Sequence, residues 1–591
     1  MPWPLPQFRP PADLSPSRLA AMEYVRPLAD RSFAGVARAA LADRELRHAV
    51  VAFWVLLAVA AAASVVAHRD LRRAGRASPM PHRGWLRALL AAALLLRASQ
   101  LGHAAGCIED EGLYAAILGT AVESGGASQV WFVTGSLGAW PVAALAIARA
   151  ARSVGVEPWM ALRLVTSACS VATAYFVARL AALLVPRWRR RGTASAAALD
   201  RVPALAALLA LGSANTVLDG LYATYSPFAV LLLVIAAEHF ARGVLLRAPR
   251  LLWASAMLLV ASALARIFPA LLVSPLALAG VLALVVARPH RRLVALHFVA
   301  PLAAASLVAL VPQLPALLVA VAHAQWLATQ VVVTKLRTPT QLAVEVGLEL
   351  GLPALLVPVG AWRLLARRRR RARRPREATA LAVGWLLVPV YTVASGTLFS
   401  IDKNLALACF LGAPLGAVAL SRLVDGLDAR TRGAVLAAVS VVLAGTSVVG
   451  ARRLLPVGAA ARPVRDWIDA HLRIPPAGAR LVTVGPLSNP WGLKAEYDPR
   501  PDPRLVVSTA TAFVPAPLEA YLALGAELVL EAQPETHTLP GVPFRRLGRY
   551  LVVPFTSPRP FATRLFVRDD VAPPALRDEA EAPTAGAVPA R

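Results

Sequence analysis

Glu109, Asp110 and Glu111 stand side by side in CIEDEGLYAAILGTAVESGG, residues 107–126, in a chain whose formal net charge is +28. Adjacent carboxylates raise one another's pKa and are costly to hold together near a low-dielectric surface. Such a cluster serves as a general base or acid, as cation ligands, or as solvated loop charge. The run GLYAAILGTAVESGG that follows has the spacing of an apolar-faced helix, which pins the acids at a surface. Asp219 is a further isolated acid, and the cations that could answer these carboxylates are Arg163, Arg266, Lys335, Arg337 and Lys403.

The elements that must position these groups follow from composition. Of 591 residues, 57% are hydrophobic and only 16% charged, too apolar for a soluble fold. The chain reads as a polytopic membrane protein. Its basicity does not indicate nucleic acid as a partner, because the arginines sit in short clusters between apolar runs and are not interleaved with aromatics on a polar domain. Cys107, Cys169 and Cys409 are too far apart in sequence to suggest a disulfide framework or a zinc motif.

A helix needs about 20 apolar residues to cross the hydrocarbon. Twelve stretches qualify, near 48–67, 88–106, 159–185, 203–218, 221–241, 251–265, 267–287, 294–320, 341–365, 378–399, 404–421 and 433–450. If they alternate, the basic loops 68–87, 187–201, 242–250, 288–292 and 363–376 fall on one side, which the positive-inside rule makes cytoplasmic. The apolar run 132–151 would break this alternation as a span. It is therefore expected to lie in the outer interface or to re-enter, with Trp131 and Trp140 at headgroup level.

The expected organisation is an N-terminal segment 1–47 without a signal-peptide cleavage pattern, a membrane domain 48–450, an α/β domain 460–570 on the outer face, and a disordered Ala/Pro/Glu-rich tail 571–591. The α/β expectation comes from a helix, turn and strand in VRDWIDAHLRIPPAGARLVTVG, then strand-like RLVVST, AELVLE, RYLVVPF and TRLFVR. Loop 107–131, Asp219, segment 321–340 and Lys403 share the outer face with that domain. Acid and base thus meet on one side.

Asp110-Glu111 followed by Tyr114, at the outer end of an early span, resembles the Asp-Glu-x-x-Tyr motif of the GT-C glycosyltransferases, in the branch of protein O-mannosyltransferases and lipid A aminoarabinose transferases. Other features follow in the family's order: the interfacial run 132–151 in place of its juxtamembrane helices, Arg163 in ALRLVTSACS, Asp219 in place of its second acid, and SIDKNLALACFLGAPLGAVAL with Lys403. The resemblance covers roughly residues 85–450. It implies an all-α membrane domain of 11–12 transmembrane helices, followed by a small α/β domain. The family's Pro-Pro-Leu is absent, with only Trp140-Pro141 nearby, and its late Arg-Tyr is replaced by Asn404-Leu405.

The activity this implies is transfer of a sugar from a polyprenyl-phosphate donor to a protein, lipid or glycan acceptor at the outer face of a bacterial inner membrane. Asp110 would be the general base, Glu111 and Asp219 would orient acceptor or base, and Tyr114 and Arg163 would contact substrate. Lys403, Arg266, Lys335 and Arg337 would face the leaving phosphate. No cofactor is implied beyond a divalent cation, which Asp110 and Glu111 could hold. Arg97 and Arg163 also read as helix-end anchors, Arg266 as a snorkelling arginine in a turn, and His103 and His323 as structural histidines. The competing class is a transporter or flippase for a lipid-linked sugar, compatible with the Pro-interrupted helices. Against it stand the lack of a repeat between the two halves and acids at a surface loop instead of the midplane.

Overall fold

The computed structural model describes residues 44–75, 83–101, 158–190, 196–213, 226–265, 288–313, 338–365, 376–395 and 401–458 of the helical part. In the C-terminal part it describes 461–476, 478–484, 505–508, 525–534, 546–555 and 561–581, with a few isolated residues elsewhere. The helices are α1 (Arg44–Arg73), α2 (Arg83–Leu101), α3 (Pro158–Arg190), α4 (Ala196–Gly212), α5 (Ser226–Leu245) and α6 (Pro249–Ala265). After these come the locally π-distorted α7 (Arg291–Ala309), α8 (Pro339–Leu350), α9 (Leu352–Leu365), α10 (Arg376–Ser395), α11 (Ile401–Leu423) and α12 (Ala429–Gly458). Six of the described helices are long and apolar enough to cross a membrane, and the chain is an integral membrane protein.

The spans expected from hydropathy coincide with these helices in all but two cases. The stretch 267–287 lies outside the described residues, as does most of 132–151. The stretch 341–365 is two helices, α8 and α9, meeting at 90°. Its apolar content is continuous, but Gly351 between them sits at φ 58° and ψ −135°, a backbone region that side-chain-bearing residues avoid. Thr338 caps α8 reciprocally with Gln341, and Pro353 stands in the first turn of α9.

Contacts between helix ends fix the alternation. His48 of α1 bonds the carbonyl of Val308 at the end of α7, while Asp70 at the other end of α1 pairs with Arg250 at the start of α6. Ser421 at the end of α11 bonds Ala198 at the start of α4. Arg187 of α3 lies 3.9 Å from Glu377 of α10, and Arg376 bonds the carbonyl of Val286. The described helix ends that flank the basic segments therefore gather at one end of the bundle, called here the arginine-rich end. The first residues of α3, α5 and α11 and the last of α2, α4 and α6 gather at the opposite end.

Between apolar helices in lipid, close backbone approach and interhelical hydrogen bonds replace the hydrophobic effect as the packing force. Ser255 and Ser262 of α6, a heptad apart, bond the carbonyls of Ala236 and Ala229 of α5, also a heptad apart, so the two helices run antiparallel in register. Helix α11 is the axis of the bundle: 94% of its apolar window is buried, against 22% for α1 at the periphery. Gly360 of α9 lets α9 reach the backbone of α11.

The C-terminal part carries α13 (Ala461–His471), strands β1 (Ala479–Val484), β2 (Leu505–Ser508), β3 (Leu528–Pro534), β4 (Arg546–Leu547), β5 (Tyr550–Phe555) and β6 (Phe561–Arg568), and α14 (Pro574–Glu581). They form one mixed sheet in the order β2-β1-β3-β6-β5-β4. β1 is parallel to β2 and β3, and the remaining pairs are antiparallel. Strand alternation sends Leu481, Leu528 and Leu530 to a core with Val464 and Ile468 of α13, and Val482 and Val529 to the other face. The tail expected to be disordered from 571 begins with α14 instead. Its PALRDEAE sequence combines good helix formers with Leu576, which packs on the α13 side of the sheet.

Candidate functional site

Of the residues that the sequence singled out, Asp110, Glu111, Tyr114, Asp219, Arg266, Lys335 and Arg337 lie outside the described residues. Lys403 is the third residue of α11, and its side chain is likewise outside. Arg163 is described in full. The described helix ends that flank the missing groups in sequence are the end of α2, Thr216 and Val217, the end of α6 and the starts of α8 and α11.

Arg163 sits just over a turn inside α3 and is 2% exposed; Arg97, near the end of α2, is 4% exposed. A helix-end anchor would keep its guanidinium in the headgroup water, so burial replaces that reading for both residues. The Arg97 guanidinium reaches the carbonyls of Leu211 and Thr216 at 3.4 and 3.5 Å. The Thr216 carbonyl also accepts from Ser170 of α3 at 3.1 Å, and the Thr216 hydroxyl is tied to Ala210 and Ser213 at the frayed end of α4. Thr166, Ser167 and Ser170 on α3 are buried along the same stretch. The ends of α2, α3 and α4 therefore hold Arg97 against backbone carbonyls beside buried hydroxyl groups, and Arg163 is buried at the same end, opposite the arginine-rich loops. Charged groups are rarely kept inside a membrane domain without a function.

A second buried ionic group was not singled out from the sequence. Glu238 of α5 is fully buried, and its Oε1 accepts from Arg179 of α3 at 3.0 Å and from Arg242 of α5 at 2.8 and 2.9 Å. His239 donates to Oε2 at 2.7 Å and meets Ser64 of α1 at 3.0 Å. Arg179 also donates to Nε2 of His68 at 3.0 Å. The signal was present, since EHFAR puts three ionisable residues within an apolar run, but it stands beside a basic loop and reads as the end of a span. Among the described residues no set of three or more His, Cys, Asp or Glu is arranged to hold a metal.

The helical bundle and the sheet that follows it, together with the likeness to solved structures, define an integral membrane protein with the GT-C fold. The solved structure of ArnT from Cupriavidus metallidurans, without ligand, matches with a TM-score of 0.51 at 14% identity, over 83% of this chain and 99% of that one. ArnT from the same organism bound to undecaprenyl phosphate matches with a TM-score of 0.44 at 14% identity, over 82% and 98% of the two chains. The arabinofuranosyltransferase AftD from Mycobacteria matches with a TM-score of 0.44 at 16% identity, over 83% of this chain and 40% of its own. No protein-family model and no curated protein sequence matches the chain.

Proposed function

We propose that this protein transfers a sugar from a polyprenyl-phosphate donor to an acceptor hydroxyl or amine at the outer face of the membrane, by a single inverting displacement. The observation that carries the reading is the burial of Arg97 and Arg163 at the end of the bundle opposite the arginine-rich loops. A lipid-linked donor keeps its chain in the bilayer and brings one anionic phosphate to its surface, so it requires cations held inside a membrane domain at one face. The shared GT-C fold supports the same class.

In this reading Asp110 takes the acceptor proton while the acceptor oxygen bonds to the anomeric carbon. The bond from that carbon to the phosphate oxygen breaks, and the phosphate leaves with the electron pair. Arg97 and Arg163, with Lys403, Arg266, Lys335 and Arg337, offset the charge that grows on it. Tyr114 contacts substrate, and Glu111 and Asp219 orient the acceptor. The acceptor is a protein, lipid or envelope glycan. Asp110→Asn should lower transfer of labelled sugar about 10²–10⁴-fold, the range of general base catalysis, while the variant still purifies folded. Near-wild-type turnover refutes the assignment, and movement of the lipid-linked sugar across a vesicle membrane without bond formation favours a flippase.

A further inference from the structure

The ionic group around Glu238 lies at the arginine-rich end, far from the proposed reaction, and its hydrogen bonds fix its charge. Guanidinium groups only donate, so Nε2 of His68 accepts from Arg179 and its Nδ1–H donates to the Ser64 carbonyl at 2.8 Å. His68 is therefore neutral. His239 donates through Nδ1 to Glu238 and is neutral or cationic according to which way the Ser64 hydroxyl points. Two arginines against one carboxylate leave the group with a net charge of at least +1 in either case.

Its donors are not used up. Glu238 engages only Nη2 of Arg179, and Nε and Nη2 of Arg242. Among the described residues Nε and Nη1 of Arg179 and Nη1 of Arg242 have no hydrogen-bond partner. The Arg179 side chain is 17% exposed and lies over the rings of Phe176 and Tyr175, at 5.3 and 5.8 Å. Tyr175 itself is exposed, as are Val65 and Val66 beside Ser64 on α1. The arginine thus opens toward lipid between α1 and α3, with aromatic and aliphatic surface leading up to it. The span of α3 covers 29 residues, about 43 Å of helix against a hydrocarbon core of about 30 Å, so its last turns reach the headgroup layer. Arg179 lies roughly 13 Å before the end of that span, within reach of a glycerophosphate.

We infer that Arg179 and Arg242, held by Glu238 between α1, α3 and α5, form a binding site for the phosphate of an anionic phospholipid of the cytoplasmic leaflet. Placement in that leaflet rests on the basic loops at this end and not on the transfer reaction. A buried carboxylate that fixes two guanidiniums leaves their outward N–H groups preorganised for phosphate oxygens. The adjacent apolar surface takes the acyl chain, which a free phosphate does not need.

The test uses the purified full-length protein in nanodiscs of phosphatidylcholine, alone or mixed with phosphatidylglycerol, with retained lipid measured by native mass spectrometry and unfolding followed thermally. The wild type should retain phosphatidylglycerol over phosphatidylcholine at least about tenfold, a difference of about 1.4 kcal/mol, with a matching rise in unfolding temperature. Arg179→Gln, which keeps a donor to Glu238, should lose most of that preference. So should the apolar triple variant Glu238→Leu, Arg179→Met, Arg242→Met, while Arg69→Gln, an exposed arginine on α1, should keep it. A wild type without preference overturns the inference, as does a folded triple variant that retains it. Equal stabilisation by inorganic phosphate alone also overturns it, in favour of a free-anion site.

Discussion

Replacing Glu238 by leucine should be among the most damaging single changes in the membrane domain. The substitution removes an oxygen that accepts three bonds from two guanidiniums, and a second that accepts from His239. What remains is a buried Arg242 and a half-buried Arg179 without a counter-ion. Breaking a buried pair by deleting one partner costs about 3–5 kcal/mol, whereas replacing all the charges with apolar groups of similar volume is close to neutral. With unfolding entropy near 2 cal/mol/K per residue and a membrane domain of roughly 400 residues, the single change should lower the unfolding temperature by about 4–6 °C. The triple variant Glu238→Leu, Arg179→Met, Arg242→Met should recover most of this loss. Thermal unfolding of the three proteins in one detergent, followed by tryptophan fluorescence, reads both differences. A single variant within about 1 °C of wild type would show that the charges are solvated and the burial argument wrong. A triple variant no better than the single would show that packing, not uncompensated charge, sets the cost.

Arg163→Gln should reduce kcat/KM for a polyprenyl-phosphate sugar roughly 10²-fold or more, the size of one lost charged contact in a transition state; unchanged kinetics would return Arg163 to a structural role. A Cβ at Gly360 would lie 1.9 Å from the Leu415 carbonyl oxygen, so Gly360→Ala must push α9 away from α11. It should cost at least about 1–3 kcal/mol in denaturant titrations, while Gly347→Ala on α8, whose Cβ would meet nothing within 4 Å, should be neutral or mildly stabilising. Asp428 caps the start of α12, and the Thr431 hydroxyl and the Thr431 and Arg430 amides that it accepts from hold its carboxyl below the ordinary value. Its stabilisation is therefore complete above the ordinary carboxylate range and fades as pH falls through the lower folded value. Asp428→Asn should flatten that part of the acid limb of stability against pH, and parallel limbs for the two proteins would count against the cap.

What the sequence determined by itself was most of the described helices and the ends at which they meet. Apolar length fixes a span because lipid offers the backbone no other partners, and the clustered arginines oriented those spans: helix ends at Asp70–Arg250, Arg187–Glu377 and Ser421–Ala198 meet where the basic loops placed them. Strand alternation was equally legible, since Leu481 and Val482 go to opposite faces of the sheet. Hydropathy averages over a window, however, and could not register the turn that one glycine, Gly351, makes inside an apolar run. Nor could it tell a buried arginine from a snorkelling one. Arg97 and Arg163 have the same flanks as any helix-end anchor, and Glu238 stands within a few residues of a basic loop. Whether such a side chain meets water or another charge depends on which helix faces it across the bundle. That pairing joins residues more than a hundred positions apart in Arg97 with Thr216, and His68 with Arg179, so it exists only once the helices have packed.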